Sequence, residues 1–156
     1  MGESYGILLV EKEASQMKTN RSLLVYILLT IVTCGIYATY FEYAFARDMN
    51  IVCAGDGKKT RGVIAQVIFT VLTLGIYPIV WLYGVGERIN NNSVMRKVAS
   101  TCTGGSLLLW NILGSLIIIG PFVAMHKRIE GLNRLCDAYN RRQGAATVNV
   151  NVNINQ

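Results

Sequence analysis

The sequence predicts an all-α integral membrane protein. It would carry three repeated, Gly/Pro-kinked apolar helical segments, a C-terminal amphipathic helix and a short strand-like tail. Three observations predict this. Ser22–Phe41, Gly62–Tyr83 and Gly105–Met125, together 63 of the 156 residues, contain no Asp, Glu, Lys or Arg. About 20 uncharged, mostly apolar residues is the length a helix needs to cross a hydrocarbon core of about 30 Å. The first two segments are copies of one another, and the third is a weaker copy. Each copy is interrupted near its middle by Gly, twice together with Pro.

Composition excludes several classes. Every charge falls in the remaining 93 residues, where charged side chains make up about a quarter, the share of an ordinary globular domain. A soluble enzyme domain, a disordered chain and a disulfide scaffold all fail this pattern. The net charge of +6 suits anionic lipid headgroups better than nucleic acid. Cys34, Cys53, Cys102 and Cys136 show no metal-ligand spacing, and the single His126 completes none. Cys34, inside an apolar segment, reads as a small packing residue. Neither catalytic residues nor a cofactor, metal or small-molecule site can be identified.

Residues 1–20 form a polar N-terminal segment that lacks the pattern of a signal peptide, and Gly6 stands where a myristoylation motif needs Ser or Thr. Residues 21–142 form one membrane domain with repeats at 21–50, 61–90 and 104–133. Repeats one and two align without a gap at an offset of 40 residues. They share Arg21/Arg61, Thr30/Thr70, Thr33/Thr73, Gly35/Gly75, Ile36/Ile76, Tyr37/Tyr77, Tyr43/Tyr83 and Asn50/Asn90. A repeated period of this kind marks one structural unit copied. In the third copy, at an offset of 43, Pro121 falls on Pro78 and Asn133 on Asn90.

The helix-break motif therefore comprises Thr33, Gly35, Tyr37, Thr73, Gly75, Tyr77, Pro78, Gly120 and Pro121. Proline inside a helix removes a donor and clashes with the preceding turn, so Pro78 and Pro121 are expected to kink or break their helices. The nearby threonines can bond freed carbonyls or their own i−4 carbonyls. Between the first two repeats, Gly57-Lys58-Lys59-Thr60 faintly resembles a phosphate loop but lacks its spacing and its preceding strand.

After the third segment, Met125, Ile129, Leu132, Cys136 and Tyr139 form one helical stripe. Lys127, Arg128, Arg134, Arg141 and Arg142 flank it. Such a helix either lies on lipid headgroups or packs against the loops or a neighbouring subunit. The tail, residues 143–156, ends with Val148, Val150, Val152 and Ile154 alternating with Asn, the period of a strand. It could pair with the tail of another copy or with Tyr5–Val10, or else remain a frayed polar tail.

Two topologies fit. Three kinked spans are the preferred one, with six cations on one side and nine on the other. In the other, each segment is a re-entrant hairpin turning at Gly35, Gly75 and Gly120, and all 15 cations share one side. That version suits gapless repeats but reaches only partway into a bilayer.

Several motifs together point to a family. Thr33–Tyr37 reads T-C-G-I-Y and Thr73–Tyr77 reads T-L-G-I-Y; Cys53–Thr60 is C-A-G-D-G-K-K-T; Leu108–Phe122 is L-L-W-N-I-L-G-S-L-I-I-I-G-P-F. With the run Leu132–Asn140, residues 20–142 resemble the bacterial membrane-protein family known as domain of unknown function 4234. The resemblance implies a small multi-pass protein of the bacterial cytoplasmic membrane, with no established catalytic residues.

The function expected is non-enzymatic: a small integral membrane protein, self-associating as a scaffold or membrane-shaping element. The alternative is an oligomeric channel or pore. The partners expected are the lipid bilayer and further copies of the chain.

Overall fold

Each of the first two uncharged segments folds back on itself. The computed structural model describes residues 16–154, with side chains described through residue 144. Helix α1 (Leu23–Val32) has 10 residues and leads through a tight turn into α2 (Ile36–Val52). The second repeat does the same with α3 (Val63–Leu72) and α4 (Tyr77–Met95). In the third, a short α5 (Gly104–Leu108) runs through a π-helical turn (Leu109–Leu113) and a 3-10 turn (Gly114–Ile117) into α6 (Gly120–Ile154).

This overturns the three kinked spans and the multi-pass placement. Among the described residues, no helix is long and apolar enough to cross a membrane. The reason is local. Cys34 and Gly35, and likewise Leu74 and Gly75, take successive positive φ angles of 49° and 92°, and of 51° and 90°. No helix continues through such a pair. Ten-residue α1 and α3 rise about 15 Å, half of a core of about 30 Å.

The prolines do not kink helices either. Pro78 lies in the first turn of α4 and Pro121 is the second residue of α6. There the missing N–H costs nothing and the fixed φ favours initiation. The strand-like tail is also corrected: α6 runs on to Ile154. A lone strand leaves its backbone groups unpaired, whereas extending an existing helix pairs them without a new nucleus. Tyr5–Val10 lies outside the described residues.

The core lies at the opposite end from the turns. There α2 contributes Phe45, Met49 and Val52, α4 contributes Val85 and Ile89, and α6 contributes Ile129, Leu132, Leu135 and Cys136. The α6 stripe expected from sequence is therefore a packing stripe. Helices α1 and α3 bury no residue. Where α5 crosses α4, a Cβ on Gly86 would stand 2.6 Å from the Gly104 backbone nitrogen, so the crossing needs glycine.

Polar ties close the three hairpins into a ring. Asn50 of α2 bonds both backbone groups of Thr60, just before α3, at 2.7 and 2.9 Å. Glu87 of α4 accepts from the Gly104 amide at 2.9 Å, at the start of α5. Asn133 of α6 bonds both backbone groups of Arg21, just before α1, at 3.3 and 2.8 Å. Each long helix thus holds the start of the next hairpin, and the third holds the first.

Candidate functional site

The turns carry the apolar surface. Leu74 is 94% exposed, Leu116 84%, and Val32 and Ile118 78%. Around them Leu24, Leu28, Ile36, Ile64, Val71, Ile76, Leu113 and Ile117 are exposed as well. Contiguous apolar exposure on this scale marks an interaction surface.

The polar backbone beneath these side chains is satisfied from within. In the first turn, Cys34 N donates to Ile31 O at 3.1 Å and Gly35 N to Thr30 O at 2.8 Å. That pair of bonds is a Schellman ending of α1. Ile36 N donates to Thr33 O, and Tyr37 N to Thr33 Oγ1 at 2.9 Å, while that hydroxyl donates to Leu29 O at 2.6 Å. The second turn repeats the arrangement: Gly75 N to Thr70 O at 2.8 Å, Tyr77 N to Thr73 Oγ1 at 2.9 Å and Thr73 Oγ1 to Phe69 O at 2.6 Å. Every amide from Thr33 to Tyr37, and from Thr73 to Tyr77, has an acceptor. One hydroxyl both ends a helix and starts the next. It bonds its own i−4 carbonyl and also the i+4 amide.

The base answers with buried charge. Arg88 is 3% exposed. It meets Asp56 bidentately at 2.7 and 3.0 Å, Asn50 Oδ1 at 2.7 Å, Thr60 Oγ1 at 2.8 Å and Lys58 O at 2.6 Å. Burial alone pushes the Asp56 carboxyl up, but the Arg88 bonds, the Lys58 amide and Asn92 bring it down to about 2. The loop resembling a phosphate cradle instead turns its Thr60 hydroxyl and Lys58 carbonyl onto Arg88. Arg21 pairs with buried Asp48.

The sequence-expected cations divide. Arg128 is buried, pairs with Glu42 at 2.7 Å and lies over the Phe45 and Trp81 rings at 4.6 and 4.9 Å, so it packs within the protein rather than lying free on the surface. Lys127 donates to Thr101 O at 3.3 Å and Arg134 to Ala99 O at 2.6 Å, tying α6 to the preceding loop. Arg141 pairs with Asp137 on the surface and Arg142 is exposed. His126 is exposed, 3.9 Å from Glu130. Among the described residues no His, Cys, Asp and Glu group could hold a metal ion.

Cys34 does not pack as its apolar segment suggested. Cys34 is exposed at the first turn, while the other three are buried. Burial pushes the Cys53 thiol up to about 11 and the Cys102 thiol up to about 12. Sequence reading missed Arg88 and Asp56. One signal was present: Arg88 occupies the repeat position of Asp48, so opposite charges fill equivalent core positions.

Comparison with curated proteins and with solved structures returns no match. Residues 21–91, the first two hairpins with the loop that joins them, match the family described as Domain of unknown function (DUF4234).

Proposed function

We propose that this protein is a non-enzymatic membrane element that seats its three hairpin turns in one leaflet and keeps its base in water. One observation carries the reading: exposed apolar turns, of which the first two have every backbone amide from Thr33 to Tyr37 and from Thr73 to Tyr77 satisfied internally. Hydrocarbon offers no hydrogen bonds, so only backbone satisfied in this way can enter it. The depth of about 15 Å fits one leaflet. Three wedges added to a single leaflet expand it against the other, which supports a membrane-shaping role. Self-association would raise the local density of wedges.

Cys34 supplies the test, since the other three thiols are buried. The chain labelled there with an environment-sensitive fluorophore is added to phosphatidylcholine–phosphatidylglycerol vesicles. The expected result is a blue shift, with quenching by lipids brominated in the acyl chain. Leu74→Asp should weaken partitioning roughly 100-fold, from a cost of about 2.5 kcal/mol or more for a carboxylate in hydrocarbon. An unshifted spectrum overturns the reading.

A further inference from the structure

We infer that the cavity where the three hairpins meet binds the ester carbonyl of a glycerolipid. The inference rests on the leaflet reading and adds a ligand to it. The cavity, of about 290 Å³, is lined by Glu42 from α2, Gln66 from α3, Pro78 and Ile79 from α4, Ile112 and Arg128. Arg128 is 7% exposed. Its Nη2 is held by Glu42, and its Cζ lies over the Phe45 and Trp81 rings. Its Nε and the Gln66 Nε2 are buried and have no partner among the described residues. Two buried N–H donors without an acceptor are costly and call for one.

Charge selects the acceptor. Glu42 neutralises Arg128, so a free anion entering the cavity would stand beside a carboxylate. A neutral carbonyl oxygen is an acceptor for such donors without that repulsion. The walls of Pro78, Ile79 and Ile112 suit the hydrocarbon flanking such an ester. Position agrees. Glu42 directly follows the uncharged block Ser22–Phe41, and Arg128 lies three residues beyond Met125. The cavity therefore stands at the border between turns and base, the depth at which ester linkages lie when the turns occupy a leaflet.

Trp81 also lines the cavity, and the sequence has only one other tryptophan, Trp110. The full chain carrying Trp110→Phe, in alkyl maltoside micelles, is titrated with a monoacylglycerol brominated in its acyl chain. Trp81 quenching should saturate. Unbrominated mono-oleoylglycerol should reverse it, whereas the ether-linked analogue, lacking the carbonyl, and oleate should compete at least about 10-fold less well. Gln66→Leu, on a helix with no buried residue, should reduce ester binding to the ether level. Arg128→Lys, which retains the charge beside Glu42 without Nε, should do the same. Neither variant should change the Cys34 signal in vesicles, which separates this inference from the leaflet reading. Absence of saturation, equal competition by the ether or stronger competition by oleate overturns the assignment.

Discussion

The same three helices build two regions with opposite rules. In the base, α2, α4 and α6 bury Phe45, Met49, Ile89, Leu132 and Leu135, while Asp48, Arg88 and Asn92 are met by Arg21, Asp56 and the Arg88 carbonyl. At the turns, the first halves of α2 and α4, with α1 and α3, leave Val32, Ile36, Val71 and Ile76 exposed. The base solves folding in water: apolar stripes go inside, and each buried charge has a partner. The turns bury almost nothing and spend their polar groups on one another. Satisfying backbone and hiding side chains are thus separable tasks. In the leaflet reading proposed above, a region that completes only the first faces a solvent that is itself apolar.

The comparison breaks most sharply at Arg88. Arg88→Met leaves Asp56 buried without its cation and frees Asn50 and Thr60, which hold the start of α3. Removing one partner of a buried pair costs about 3–5 kcal/mol. Denaturant unfolding in micelles should show that loss. A change below about 1 kcal/mol would place the stability of the base elsewhere.

The same contact gives the base a pH dependence. Asp56 is held at about 2, below its ordinary 3.8. A depressed folded-state value means that the stabilisation is complete above pH 4 and is lost as pH falls through 2. Stability followed across that window should decline in the wild type and decline less in Arg88→Met. Equal slopes would show that Asp56 draws nothing from Arg88.

How far the sequence spoke for each region follows from range. The turns were legible because their determinants are local: Thr33, Gly35 and Tyr37 fall within five residues and recur at an offset of 40. The position of the break could be read, and its consequence could not. A Gly-centred break fits a kink or a reversal, and the choice depends on whether two successive residues adopt positive φ, here Cys34 with Gly35 and Leu74 with Gly75. Pro78 and Pro121 pointed to kinks because a helix interior was assumed around them, whereas each begins a helix. The base was less legible because its ties span long separations. Arg128 reads as a flanking cation, yet the repeat alignment sets it on Phe45 and Val85, two core positions. Its charge is compatible with that place only because Glu42, 86 residues away, comes to meet it. The Asn/Val tail has strand periodicity but no neighbouring strand among the described residues, so helix continuation decides it.

At the turns a single hydroxyl separates the two regions. Thr73→Val keeps shape and volume and deletes the acceptor of the Tyr77 amide. In the base, water could replace a lost partner near the surface. At a turn seated in hydrocarbon it could not, so the unpaired amide must be borne or the first turn of α4 must loosen. Loss of a helix-starting hydroxyl costs about 1 kcal/mol, too little to unfold the chain. Hydrogen exchange in vesicles should therefore accelerate at Tyr77 by roughly 5-fold, the exchange equivalent of that cost. Ile89, in the core of the same helix, should stay unchanged. Thr73→Ser restores the hydroxyl and should return Tyr77 to its wild-type rate. If Tyr77 exchanges at the same rate in Thr73→Val as in the wild type, the hydroxyl does not hold the turn.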